Sequence, residues 1–369
     1  MKRKFCFILP NIHGEFSGGA ETQCFYLAKE LLARGWEVHY IREADVEGVI
    51  EIEGIVVHAI PKQRKLFKWK NWFHLRKALR VIAADIWYVR ANISYLPLVV
   101  WHSKRANGKT IWAFSRDSQF YYTKRNIKGR VLHNVFAQID HFAFFKALKH
   151  VDQILLQTEF QKQLLSEKLR LSGEVIYNAH PIPNESASSK ENIVVWIGRL
   201  QQFKHPERYL EIVRLLQDTP ISFYLVGDST NECIREEISR RSCALQNVQW
   251  VGKVGLEEVH RLLDISRVLV NTSDYEGFSN TFIEAWMRGV PVVSLFVDPD
   301  NFIANRKIGY VVGNISSAAT RIDELVNDHE LWGNISSNCI EFSRESFNIV
   351  TAVDRLERCV FALGIDPRG

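Results

Sequence analysis

Two glutamates, Glu276 and Glu284, are separated by seven residues in the run Tyr275-Glu276-Gly277-Phe278-Ser279-Asn280-Thr281-Phe282-Ile283-Glu284. Gly277 and the small polar residues Ser279, Asn280 and Thr281 suit a backbone that turns sharply and then opens a helix. Ser279 or Asn280 is available to cap it. Gly289 would end that helix, and the apolar stretch from Val292 to Leu295 reads as a buried parallel strand. One carboxylate therefore precedes the helix and the other lies in its first turns. The N–H groups of a helix start favour a phosphate, and a carboxylate accepts two hydroxyl hydrogen bonds at once. The combination suits a polyhydroxylated anion, such as a sugar or ribose joined to phosphate. The competing reading of the two glutamates alone is an ordinary surface helix with an acid near its start.

Upstream, Arg199 and Lys204 follow Gly198 at the end of an apolar run. Two cations at a strand end suit a diphosphate, Arg forking two oxygens and Lys acting as a point charge. For an isolated pair, solvated surface charges would be the plainer reading. Gly18 and Gly19 follow the first strand, where a missing β-carbon lets backbone amides approach a phosphate. Their spacing is not G-x-G-x-x-G, which disfavours a nicotinamide cofactor. Asp298-Pro299-Asp300 has the residues to hold a divalent metal, but its position after a strand fits turn chemistry better.

Taken in order, these pieces resemble the large family 4 of retaining glycosyltransferases with the GT-B architecture. Ser17-Gly18-Gly19-Ala20-Glu21 resembles that family's N-terminal G-G-x-E loop. Asp152 to Thr158 is similar to the strand closing the first domain, and Val175-Ile176-Tyr177-Asn178 to the next one. Trp196-Ile197-Gly198-Arg199-Leu200 with Lys204 resembles the G-R-L…K element, and Glu276 with Glu284 the E-x7-E signature.

The resemblance implies two Rossmann-like doubly wound α/β domains facing a central cleft, and a nucleotide-diphosphate sugar as donor. It implies that Arg199 and Lys204 bind the diphosphate, that Glu284 binds the ribose, and that Glu276 acts at the transferred sugar. Gly18, Gly19 and the backbone of Gly277, Phe278, Ser279, Asn280 and Thr281 would complete the donor site. Configuration would be retained by front-face displacement, with the leaving phosphate taking the acceptor's proton and no metal or other cofactor needed. Many members carry a histidine on the loop after the strand equivalent to Thr110–Ala113. Here Arg116 stands in its place, so that role is not carried over. Arg116 and Asp117 are candidates for contact with sugar or acceptor, with a structural ion pair as the alternative. An isomerase on the same architecture, a nucleotide-sugar 2-epimerase, and a non-catalytic nucleotide-sugar binder remain as other readings.

A chain of 369 residues suits two domains, and 46% hydrophobic with 24% charged residues is ordinary for a globular protein. Strands and helices alternate, as doubly wound layers require. Strands are expected at Phe5–Leu9, Val38–Ile41, Ile55–Ile60, Ile86–Val89, Thr110–Ala113 and Ile154–Gln157. Helices fall between them at Glu21–Arg34, Trp69–Ala83, Val135–His150 and Glu159–Leu169. The serine-rich stretch 184–192 reads as a linker between an acceptor-side domain, 1–183, and a donor domain, 193–346. The resemblance implies that residues 347–369 form a helix crossing back to the first domain.

Six scattered cysteines with no C-x-x-C suggest reduced thiols and a cytoplasmic protein. The apolar run after Met1 to Lys4 is broken by Pro10-Asn11 and reads as a strand, not a signal peptide. Charge is uneven: residues 1–175 carry a net +12 and the remainder −7. Lys65, Lys68, Trp69, Lys70 and Trp72 interleave cations with rings, which suits an anionic membrane surface on the inner face of the cell membrane. A solvated helix face would look the same. No nucleic-acid motif accompanies the charge. In a glycosyltransferase, membrane contact implies a lipid-linked or surface-glycan acceptor.

Overall fold

The computed structural model describes residues 2–14, 18–62, 70–121, 131–183 and 189–366. The chain divides into two compact units, Met1–Ala179 with Ile349–Gly369, and His180–Asn348. Each is a parallel α/β layer.

The first unit runs β1 (Lys4–Ile8), α1 (Gly19–Ala33), β2 (Glu37–Ala44), β3 (Gly48–Ile52), β4 (Ile55–Pro61), α2 (Lys70–Ile82), β5 (Ile86–Arg90), α3 (Leu96–Arg105), β6 (Lys109–Ala113), α4 (Val131–Leu148), β7 (Gln153–Leu156), α5 (Glu159–Leu164) and β8 (Glu174–Val175). Among the described residues its sheet has the order β3-β4-β2-β1-β5-β6-β7-β8. Only β3 is antiparallel, joined to β4 by a two-residue turn at Glu53-Gly54. Both turn residues have positive φ, 49° and 85°, the geometry of a type I′ hairpin. The sequence pattern reveals β4 but not β3, whose five residues Gly48-Val49-Ile50-Glu51-Ile52 neither alternate nor form a buried run, the first four lying exposed at the sheet edge.

Strand β1 shows why its continuous apolar run belongs at the centre of the sheet. Phe5 and Phe7 point to one face, against Leu27 and Leu31 of α1, while Cys6 and Ile8 point to the other, against Leu75 and Leu79 of α2. With helices on both sides, alternation of side chains demands an apolar residue at every position.

The second unit runs β9 (Ile193–Ile197), α6 (Pro206–Leu215), β10 (Ser222–Val226), α7 (Glu232–Cys243), β11 (Val248–Gly252), α8 (Leu256–Ile265), β12 (Val268–Asn271), α9 (Asn280–Trp286), β13 (Val292–Ser294), α10 (Phe302–Arg306), β14 (Gly309–Val311), α11 (Ile315–Asn327) and α12 (His329–Ser346). Its strands are all parallel, in the order β11-β10-β9-β12-β13-β14. The last helix, α13 (Ile349–Ala362), packs with α1 in the first unit. Arg34 at the end of α1 clamps it, donating to Asp354 at 2.6 Å, Glu357 at 2.8 Å and the Val350 carbonyl at 2.9 Å.

The stretch 184–192 follows the boundary at Ala179, and 184–188 lie outside the described residues. So do Lys65, Lys68 and Trp69; Lys70 opens α2.

Candidate active site

Strands β9 and β12 are neighbours in the second sheet, with Val194 opposite Val268 and Val195 opposite Leu269. Parallel neighbours release their following loops at the same edge, the carboxyl edge where doubly wound sheets bind ligands. The loop after β9 carries Gly198, Arg199 and Lys204; the loop after β12 carries Glu276 and leads into α9.

Side chains bind the two loops together. Trp196 Nε1 donates to Thr272 Oγ1 at 2.9 Å, and that hydroxyl donates to the Lys204 carbonyl at 2.7 Å. The Asp274 N–H donates to the Phe203 carbonyl at 2.9 Å, and the rings of Phe203 and Tyr275 stack at 5.1 Å. The Asp274 carboxylate receives Arg208 and His205, each at 2.7 Å, and both hold its pKa below the usual range. So braced, Lys204 Nζ donates to Glu276 Oε1 at 2.5 Å, and the same oxygen accepts from Ser273 Oγ at 2.8 Å. Arg199 is exposed on the first loop, directly after Gly198.

The edge of the site depends on a glycine that the sequence reading did not single out. Gly227 ends β10 at φ +142°, and a β-carbon there would lie 1.7 Å from the Gly198 carbonyl oxygen. Its signal was present in the sequence as Leu225-Val226-Gly227-Asp228, an apolar run ending in glycine and acid.

Helix α9 is not capped as expected. Ser279 is the N-cap residue but its hydroxyl makes no cap bond; it pairs instead with Thr281 Oγ1 at 2.8 Å. Asn280 is engaged by the imidazole of His180. Thr281 on the helix and His180 off it engage the two side chains that could have capped it. The Phe278 ring is buried against Phe347 at 5.1 Å, which anchors Gly277 and the turn into α9.

Glu284 lies one turn further along and is only 4% exposed. Burial raises its carboxyl to about 8, with the Arg288 charge pulling the other way. His180 Nδ1 is 3.8 Å from Glu284 Oε1. That is ion-pair range, yet burial, aided by His260 and Arg288, lowers the imidazole to about 3. Two such opposed shifts make this a neutral pair at pH 7, because desolvation outweighs attraction at that separation.

Other expected residues belong to other elements. Gly18 and Gly19 are at the start of α1 in the first unit. There too, Arg116 is exposed, and Asp117 accepts from Gln161 Nε2 at 2.9 Å. Asp298 accepts from the N–H groups of Ile303 at 2.8 Å and Ala304 at 3.3 Å, so it caps α10. Ser273 and His180 carried no usable sequence signal: a serine after a strand and a lone histidine are too common to single out.

Two parallel α/β units, one with a Lys–Glu pair at the edge of neighbouring strands, define a GT-B type of protein. Residues 17–181 match the domain described as Glycosyltransferase Family 4, and residues 191–328 match Glycosyl transferases group 1. A Campylobacter jejuni relative, GalNAc-alpha-(1->4)-GalNAc-alpha-(1->3)-diNAcBac-PP-undecaprenol alpha-1,4-N-acetyl-D-galactosaminyltransferase, is 26% identical over 364 residues, covering 92% of this chain and 94% of its own. A Staphylococcus aureus poly(ribitol-phosphate) alpha-N-acetylglucosaminyltransferase is 27% identical over 45% of this chain and 34% of its own. The crystal structure of Anabaena HepE in complex with UDP-glucose is similar in fold, with TM-score 0.74, 16% identity, and coverage of 97% of this chain and 99% of that one. The chain thus carries a family 4 glycosyltransferase domain followed by a group 1 glycosyltransferase domain, and it has the GT-B fold.

Proposed function

We propose that this enzyme is a retaining glycosyltransferase that moves a sugar from a nucleotide-diphosphate sugar to a hydroxyl of a lipid-linked or surface-glycan acceptor. The observation that carries the reading is the 2.5 Å contact of Lys204 with Glu276, braced between the loops of β9 and β12. It puts a cation for the departing diphosphate beside a carboxylate for the sugar.

In this mechanism Arg199 and Lys204 stabilise the negative charge that develops on the leaving diphosphate, the largest electrostatic demand of the reaction. Glu276 holds sugar hydroxyls and supports positive charge near the anomeric carbon. Ser273 fixes the rotamer of Glu276. Glu284 takes the ribose, and the backbone from Gly277 to Thr281 the remaining donor oxygens. The leaving phosphate accepts the acceptor's proton on the face it vacates, so retention needs no separate base and, on this reading, no metal. This differs from glycosidases, where two carboxylates flank the bond. The α-linkage in the names of both relatives supports retention, because it is what a donor linked α to its diphosphate yields on that course.

The undecaprenol-linked substrate in the Campylobacter relative's name supports a lipid-linked acceptor here. So does one surface of the first unit. Phe73 on α2 is 78% exposed and Phe142 on α4 is 67% exposed. Between those helices in sequence, Trp101 of α3 lies under the guanidinium groups of Arg76, at 5.0 Å, and Arg105, at 4.1 Å. Exposed rings with cations suit a headgroup layer. No helix among the described residues is long and apolar enough to cross a membrane.

The test is a thermal-shift screen with UDP-, GDP- and ADP-sugars, followed by product analysis with the stabilising donor and a polyprenyl-diphosphate glycan. Binding raises apparent stability by mass action, which identifies the donor; front-face displacement then predicts a product with the donor's anomeric configuration. An isomeric nucleotide sugar formed without acceptor would identify an epimerase instead, and an inverted product would remove the front-face mechanism.

A further inference from the structure

The chain enters the second unit at His180 and leaves it at Asn348. Within that unit the two end residues are stitched side by side. The His180 N–H donates to the Phe347 carbonyl at 2.8 Å, and His180 pairs with Asn348 in a parallel bridge. The His180 imidazole is 3% exposed and turns inward to α9. It hydrogen-bonds the side chain of Asn280 and stands 3.8 Å from the carboxyl of Glu284, one turn along the same helix. Among the described residues, the other charges that act on it are Arg288, in the turn just past α9, and His260 on α8.

A buried imidazole against a buried carboxyl is costly to place in a core unless each satisfies the other or a ligand. Leucine would fill the same volume more cheaply. The polar pair sits at the one point where α9, which follows directly from the Glu276 loop, meets the paired ends of the unit. The same imidazole thus touches two turns of the donor helix, while its backbone closes the bridge.

We propose that His180 is a positioning residue for the donor site, orienting Asn280 and Glu284 so that nucleotide binding at Glu284 also steadies the bridge of His180 with Phe347 and Asn348. The inference rests on the donor-site reading above.

The experiment measures UDP binding by calorimetry and amide exchange in the full chain. In the wild type, UDP is expected to slow exchange of the His180 amide. His180→Leu is expected to weaken UDP about tenfold, the scale of one lost buried hydrogen bond, and to raise the donor KM with kcat changed less than about threefold. His180→Asn, which keeps a hydrogen-bonding group, is expected to recover most of the affinity. In His180→Leu, saturating UDP would still slow exchange in α9 but no longer at residue 180.

Unchanged UDP affinity in a folded His180→Leu overturns the inference, as does a His180 amide indifferent to UDP in the wild type. If His180→Leu does not fold, the wild-type exchange result and His180→Asn decide. A wild type that binds donor normally while the variants match it removes only this inference. A wild type that binds none of UDP, GDP or ADP removes the donor-site reading and this inference with it.

Discussion

Lys204 Nζ and Glu276 Oε1 are 2.5 Å apart, although 72 residues separate them in the chain. The pair stands at the carboxyl edge of two adjacent strands, where each partner's loop is held by the other's. Removing either member leaves the other's charge facing the donor uncompensated. Lys204→Ala and Glu276→Ala are each expected to lower the transfer rate by about two orders of magnitude or more, and Arg199→Ala by at least about tenfold. The double variant of Lys204 and Glu276 should be little worse than either alone, because residues acting as a unit are not additive. Steady-state rates with one donor–acceptor pair check this; near-normal rates in the singles would end the mechanism.

Ser273 is 1% exposed and donates to the same oxygen of Glu276 at 2.8 Å. Its own N–H is held by Asn271 Oδ1 at 3.2 Å. Ser273→Ala should let the carboxylate sample other rotamers, reducing kcat about three- to tenfold while the donor KM moves little. A KM effect alone would mean that Ser273 binds donor and does not orient Glu276.

Gly227 cannot be replaced without moving the strand edge, because the Gly198 carbonyl oxygen occupies the space a β-carbon needs. Strain at φ +142° adds to that clash. Gly227→Ala is expected to destabilise the second unit by at least about 3 kcal/mol, read from the urea midpoint. A midpoint within experimental scatter of the parent's would show that the two glycines are not in contact.

The buried groups around α9 give the second unit a defined pH response. An unfolded glutamate ionises near 4.5, whereas Glu284 holds its proton to about 8. Between those values the folded state binds the extra proton, so stability falls as pH rises. His180 and His260 act in the opposite sense. They stay neutral when folded, down to about 3 and about 4, but take protons below 6.5 when unfolded. Their contribution is therefore lost as pH falls below 6.5. These groups together place a stability maximum near pH 6.5, and Glu284→Gln should abolish the decline above it. UDP binding to the ionised Glu284 should release a proton at pH 7, seen as a buffer-dependent heat in calorimetry. Absence of that dependence would mean that Glu284 meets the ribose as a neutral acid.

Arg76 and Arg105 flank Trp101 on the exposed surface of the first unit. Charge reversal at Arg76, Lys77 and Arg80 should weaken sedimentation with anionic vesicles at low salt by about tenfold or more, at up to about 1 kcal/mol for each cation. Replacing Phe73 and Phe142 with serine should weaken it at every salt concentration. Equal binding by all variants would rule out this surface as the membrane contact.

Much of this architecture is local in origin and therefore readable from the chain. Phe5 to Leu9 and Ile193 to Ile197 are apolar at every position because both faces of their strands are covered, and no neighbour is needed to recognise that pattern. The Glu276–Glu284 segment is likewise local: a glycine turn, small polar residues and a short helix. The antiparallel edge strand Gly48–Ile52 was less legible, since its first four residues are all exposed and no buried face imposes a pattern on it.

What the chain order could not convey is which distant groups share an environment. Glu284 reads as a helix acid, yet its carboxyl is buried beside a histidine 104 residues upstream, and that burial, against the pull of Arg288, decides its protonation. Ser279 has the composition of a cap and does not cap, because Thr281 and the surroundings offer better partners. Residue types and spacing thus settle the menu of chemistry, through covalent reach and backbone preference. Desolvation and the pairing of remote side chains depend on the packed interior, so the charge state and orientation of that chemistry belong to the fold.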